Sequence, residues 1–170
     1  EIPFIRDDIR NISLADVLEK TGNVYPDIIL GGPPCQGFSL TGPRNIDDPR
    51  NKLYLSVFKT LKLTNPKAFI VENVRGLKTM WDGNVFKEII KKFERVGYIV
   101  TESLLNSADY GVPQIRHRVF IVGIKKELNK KFDNILKLTR LLYRVNFNSY
   151  NLYASSRCIS VSYTHLRAHE

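Results

Sequence analysis

Asp27-Ile28-Ile29-Leu30-Gly31-Gly32-Pro33-Pro34-Cys35-Gln36-Gly37-Phe38-Ser39 joins a short apolar run to a loop stiffened by two prolines and opened by glycines. The run at 27–30 is read as a buried strand. The loop then leaves its carboxyl end, where open α/β sheets carry ligands and reactive groups. The prolines fix the backbone before Cys35, and glycine on either side lets a ligand come close to the main chain. A free cysteine is more often a small buried hydrophobe than a nucleophile. A core cysteine needs no such frame, so Cys35 is a candidate catalytic thiol.

Outward from this loop, further strands are predicted at Ala68–Val74, 98–105 and 118–124. Between the first two, Leu53, Tyr54, Val57, Phe58 and Leu61 recur at helical spacing over 51–63, and Asn65-Pro66 stops that helix. Val85, Phe86, Ile89, Ile90 and Phe93 repeat the pattern over 84–96, with Gly97 as terminator. Strands alternating with helices predict an α/β fold with a mostly parallel sheet.

A chain of 170 residues, 43% of them hydrophobic, is long enough for one domain with a real core and too short for two substantial ones. The net charge of +9 favours polyanionic partners, although lysine-rich solvated faces give the same number. The two cysteines, Cys35 and Cys158, lie far apart with no CxxC pair or histidine cluster, so neither a disulfide framework nor a metal site is expected. No apolar stretch approaches the roughly 20 residues that span a bilayer, and the first residues do not read as a signal peptide. A soluble protein of the cytoplasm is the expectation. After residue 126 the patterning fades: a short helix is conceivable over 135–142. The end, from Val161 to Glu170, reads as translated sequencing adapter, so His165 and His169 are given no role.

Three blocks carry a resemblance. The Pro34-Cys35-Gln36 loop, Ala68-Phe69-Ile70-Val71-Glu72-Asn73-Val74, and Asn106-Ser107-Ala108-Asp109-Tyr110-Gly111-Val112-Pro113-Gln114-Ile115-Arg116-His117-Arg118 stand in the order found in the DNA cytosine-5 methyltransferases. The chain resembles that family from its first residues to about Lys126. Residues 1–126 are accordingly read as the central part of a catalytic domain with a partial Rossmann-like methyltransferase fold, and 127–170 as an unassigned tail.

The resemblance implies a reaction. Carbon 5 of cytosine is a poor nucleophile until a thiolate adds at C6, and Cys35 supplies that thiolate. Nearby positive charge favours the ionised thiol, and Arg116 or Arg118 can contribute it. Glu72 is implied to contact N3 and the exocyclic amine of the base, Arg118 its O2, while Gln114 and Arg116 support the pocket and the Cys35 loop. The target atom is hidden in a stacked duplex, so the nucleotide must be turned out of double-stranded DNA. Gln36, Ser39, Arg44 and Arg50 are the candidate DNA contacts, together with Asn73, which more plausibly orients the loop than performs chemistry.

The implied methyl donor is S-adenosylmethionine, with Asp8, Ile9, Pro33, Pro34 and Leu53 as candidate contacts; no metal is implied. The family's glycine-rich donor loop, its target-recognition region and its final blocks have no counterpart in the sequence. A central piece of a larger enzyme is expected, with very low or absent activity on its own. A cognate restriction endonuclease of the same system is the implied associate, without direct contact, and the sequence leaves open whether the parent belongs to such a system or acts alone. Other readings stay open: a tRNA cytosine-5 methyltransferase of the same family, a noncatalytic DNA-binding module, or a thiol hydrolase or oxidoreductase, for which His117 is the available partner.

Overall fold

The computed structural model describes residues 5, 7, 11–33, 54–132 and 158–161. Within them five strands form one sheet: β1 (Ile28–Gly31), β2 (Ala68–Val74), β3 (Tyr98–Asn106), β4 (His117–Lys125) and β5 (Cys158–Val161), in the order β3-β4-β2-β1-β5. β1 pairs in parallel with β2 and β5, whereas β4 is antiparallel to both β2 and β3. Four of the five strands therefore run one way and β4 alone reverses, in keeping with the expected mostly parallel sheet. The reversal has a simple cause. The 107–116 connection between β3 and β4 holds only a short 3-10 turn at Ser107–Tyr110, and a parallel return needs a crossover of a dozen or more residues. β5 lies in the stretch where the sequence shows no sustained period.

Among the described residues four α-helices accompany the sheet: α1 (Leu14–Lys20), α2 (Tyr54–Thr64), α3 (Gly76–Thr79) and α4 (Asn84–Arg95). α1 begins with a capping box in which Ser13 accepts from the Asp16 amide and Asp16 accepts from Ser13, and these bonds lower the Asp16 pKa. α2 ends where Asn65-Pro66 was expected to end it, with Asn65 in the left-handed region at φ 50°. Gly97, at φ 96°, closes α4 in the same way. Between α3 and α4 the chain turns through Trp81, Asp82 and Gly83, all left-handed.

One sheet face carries the core. Alternation in β2 turns Phe69, Val71 and Asn73 inward, where Ile29, Val119, Ile121 and Tyr98 join them under α2, α3 and α4. The rings of Tyr54, Phe58, Phe93, Phe69 and Tyr98 meet in succession at centroid distances of 5.7, 4.3, 4.4 and 5.0 Å. Each such pair adds about 0.5–1.5 kcal/mol beyond area burial, and the chain of rings ties α2 and α4 to β2 and β3. Gly123 faces Phe69 across the β2/β4 ladder, and a side chain at 123 would overlap the Phe69 ring.

At the end where the parallel strands begin, the buried Tyr98 hydroxyl donates to Pro66 O at 2.8 Å, and Lys67 Nζ lies 3.0 Å from Asp27. Burial, with the charge of Glu127 second, pushes the Tyr98 phenol up to about 12. This pinning leaves the opposite end, at the carboxyl termini of the parallel strands, to carry the site.

Candidate active site

Three chain segments meet at that carboxyl end. Register pairs Gly31 with Val71, so the chain leaving β1 runs Gly32 beside Glu72 and Pro33 beside Asn73. On the other side of β2, Val74 is opposite Arg118 and Glu72 opposite Phe120. Glu72 and Arg118 thus share a face as diagonal neighbours, a separation that a long side chain spans. Arg118 Nε lies 2.8 Å from Glu72 Oε1, while its Nη1 donates to His117 O at 2.8 Å, which fixes the guanidinium plane.

The pair is not sealed. The side chains of Glu72 and Arg118 retain 38% and 23% exposure, so both reach a ligand approaching from solvent. A methyl group at Gly32 would sit 3.6 Å from Glu72 Oε2, so the glycine forms one wall of the carboxylate's surroundings. A carboxyl beside a guanidinium offers an acceptor and a donor side by side. That set matches a planar edge carrying an N–H group and a carbonyl oxygen.

Asn73 is placed differently. It is 4% exposed and turned to the core face, with Nδ2 donating to Pro33 O at 3.2 Å and Oδ1 accepting from the Val74 amide at 2.8 Å. It anchors the chain leaving β1, two residues before position 35. Pro33, expected at the donor site, has its carbonyl in that bond.

Gln114 and Arg116 are exposed, on the segment leading into β4. The Asn106 side chain accepts from the Arg116 amide at 3.1 Å and the Ala108 amide at 3.4 Å, while the Ser107 amide and hydroxyl both donate to Arg116 O. Asn106 and Ser107 thus position Arg116, a role not read from sequence. The available signal was an asparagine opening a turn, where its side chain habitually satisfies nearby amides. Cys35, Pro34, Gln36, Ser39, Arg44, Arg50, Leu53, Asp8 and Ile9 lie outside the described residues. Among the described residues no group of three or more His, Cys, Asp or Glu side chains could hold a metal ion.

Residues 3–157 match the family described as C-5 cytosine-specific DNA methylase. Among curated relatives, the Type II methyltransferase M.BspRI of Lysinibacillus sphaericus is 45% identical over 107 residues, covering 63% of this chain and 25% of the relative. M.FnuDI of Fusobacterium nucleatum is 48% identical over 127 residues, covering 74% and 35%. The chain spans about a quarter to a third of these relatives. Among solved structures, a DNA modification methyltransferase encoded within an E. coli prophage aligns with TM-score 0.63 and 28% identity over 76% of this chain and 35% of that one. Dnmt2 methyltransferase of S. pombe shares the fold, at TM-score 0.54 and 24% identity over 75% and 37%.

Proposed function

The chain belongs to the C-5 cytosine-specific DNA methylase family, and from that premise we propose that its Glu72–Arg118 end is the cytosine pocket of a DNA (cytosine-5-)-methyltransferase, with Cys35 as nucleophile. The observation that carries this reading is the ion pair itself. A half-exposed carboxyl and a plane-fixed guanidinium stand side by side, at the sheet end from which the Cys35 loop departs.

Cytosine presents O2, N3 and the exocyclic amine along one edge. Arg118 donates to O2, where charge accumulates during attack; Glu72 accepts from the amine and shares a proton with N3. The Cys35 thiolate forms a bond to C6, and the C5–C6 π pair becomes available at C5. After methyl transfer C5 loses its proton and the thiolate departs, restoring the double bond. Asn73 holds Pro33 and so sets where the loop begins. The substrate is a nucleotide turned out of double-stranded DNA.

S-adenosylmethionine supplies an electrophilic methyl group when bound. Its place in a sheet of this kind is the crevice beyond the carboxyl ends of the strands. Pro33, fixed at the end of β1, borders that crevice and is compatible with the donor, with Asp8, Ile9, Pro34 and Leu53 as the other proposed contacts. The names of the Type II relatives favour a modification enzyme of a restriction system, acting on DNA in the cytoplasm. No described helix is long and apolar enough to cross a membrane.

The test is covalent trapping. Residues 3–132 replace the corresponding segment of M.FnuDI, and the chimera and the 170-residue chain are each incubated with S-adenosylmethionine and DNA containing 5-fluorocytosine. Mass spectrometry of the chimera should show an adduct at Cys35 that disappears in Cys35→Ser. A folded chimera that forms no adduct with DNA, or forms one only with RNA, overturns the proposal.

A further inference from the structure

The ladder between β3 and β4 ends at the pair Asn106 and His117, yet Arg116, one residue outside it, is tied to β3 through both its amide and its carbonyl. Continuing the register pairs Arg116 with Ser107. In a hydrogen-bonded antiparallel pair the two residues exchange both N–H···O bonds. One of these is in place: the Ser107 amide donates to Arg116 O at 3.0 Å, and the Ser107 hydroxyl donates to the same oxygen at 3.2 Å. The other would run from the Arg116 amide to Ser107 O. That carbonyl is turned into the 107–110 turn instead, where it accepts from the Val112 amide at 3.3 Å and from the Gly111 amide. The Arg116 amide donates to Asn106 Oδ1, at 3.1 Å.

The Asn106 side chain thus stands in for a backbone carbonyl. Its oxygen also accepts from the Ala108 amide at 3.4 Å, which is how an asparagine opens a turn. Turn formation accounts for that bond and not for the one to Arg116, ten residues along the chain. Alternation shows what the longer-range bond does. Side chains two apart on a strand share a face, so Arg116 falls on the face of Arg118 and Glu72 only while the chain stays extended before β4. The backbone ladder stops at His117, and the Asn106 oxygen carries it one residue further.

We propose that Asn106 is a positioning residue of the cytosine site and acts through Arg116: its carboxamide oxygen keeps Arg116 on the face of the Glu72–Arg118 pair. The inference rests on the cytosine-pocket reading above and adds to it a residue that touches no substrate. Both Asn106 bonds are open to solvent, so their loss takes little from folding stability. Misplacing a supporting group by about 1 Å, in contrast, can cost about 100-fold in rate.

The test uses the M.FnuDI chimera with S-adenosylmethionine and a saturating concentration of DNA containing 5-fluorocytosine. The rate of adduct formation at Cys35 is compared in Asn106→Ala, Asn106→Asp, Arg116→Ala and the double alanine variant, at a temperature where circular dichroism shows each to be folded. Asn106→Ala should slow trapping by about 10- to 100-fold, and Arg116→Ala by at least as much. Asn106→Asp keeps an acceptor oxygen in place and should restore most of the lost rate. Groups that act through one another are not additive, so adding Asn106→Ala to Arg116→Ala should slow trapping no further, whereas a merely structural asparagine would give additive losses. A wild-type rate in either single alanine variant, an Asp variant as slow as Asn106→Ala, or additive losses in the double variant overturns the positioning role and leaves the cytosine reading intact. A folded, unsubstituted chimera that forms no adduct overturns the cytosine reading, and this inference with it.

Discussion

Arg118 Nε lies 2.8 Å from Glu72 Oε1 although the two residues are not cross-strand partners: Glu72 is opposite Phe120, and Arg118 opposite Val74. The diagonal leaves the pair accessible, which separates its value for stability from its value for chemistry. Partly exposed pairs contribute about 0–1 kcal/mol to folding. Removal of one preorganised charge-stabilising donor costs about 10²–10³ in rate. Glu72→Gln and Arg118→Ala should therefore barely move the denaturation midpoint of the chain. In the chimera they should slow adduct formation at Cys35 by about 100-fold or more. Wild-type trapping rates in both variants would show that the pair is only structural.

Asn73 ties β2 to the chain leaving β1 through a buried bond to Pro33. Asn73→Ala leaves that carbonyl without its donor, and an unpaired buried group costs about 1–3 kcal/mol. The loss should extend beyond stability, because the released carbonyl stands two residues before Cys35. In a Cys158→Ser background, alkylation of Cys35 by iodoacetamide should change in rate in Asn73→Ala under conditions where both proteins remain folded. Equal alkylation rates would show that Asn73 does not set the loop.

Most of the scaffold was legible because its strands are apolar runs bounded by Gly, Pro and Asn. β2 occupies the residues expected, and Asn65 and Gly97 end their helices through left-handed backbone that their neighbours adopt less readily. The period-2 alternation of β2 also contains the burial of Asn73, which shares the face of Phe69 and Val71. The diagonal between Glu72 and Arg118 was not readable, because it depends on a register set jointly by β2, β3 and β4. The turn through Trp81 and Asp82 was hidden for another reason: left-handed φ is disfavoured for a bulky residue such as Trp81, so local propensity argues against it there.

Gly123 is required by packing rather than by its backbone. The Phe69 ring occupies the space that a Cβ at 123 would take, and Phe69 is fully buried between α4 and the sheet. Gly123→Ala should destabilise by about 1–3 kcal/mol, as overpacked core sites do. Phe69→Leu, costly alone, should recover part of the Gly123→Ala loss when the two are combined. Urea midpoints of the two single variants and the double variant give the coupling; strict additivity would mean that the ring and the added methyl do not meet.

Tyr98 makes stability depend on alkaline pH. Burial, and secondarily Glu127, push its phenol up to about 12 in the folded chain, while an unfolded tyrosine ionises near 10. Below pH 10 the phenol is protonated in both states, and its contribution is fully present. Between about pH 10 and 12 the unfolded chain releases the proton and the folded chain keeps it, so stability falls as pH rises, by up to about 1.4 kcal/mol per unit. Tyr98→Phe removes this dependence and also the hydrogen bond to Pro66, which lowers stability at pH 8 by about 1 kcal/mol. Urea denaturation of both proteins at pH 8, 9.5, 10.5 and 11 isolates Tyr98 from the other tyrosines and lysines, because only the difference between the two curves reports it. The wild-type advantage should shrink across the upper half of that series and reverse if the ionisation cost exceeds the bond. Parallel curves throughout would show that the phenol titrates alike in the folded and unfolded chain, and that the Pro66 end of the sheet is open to water.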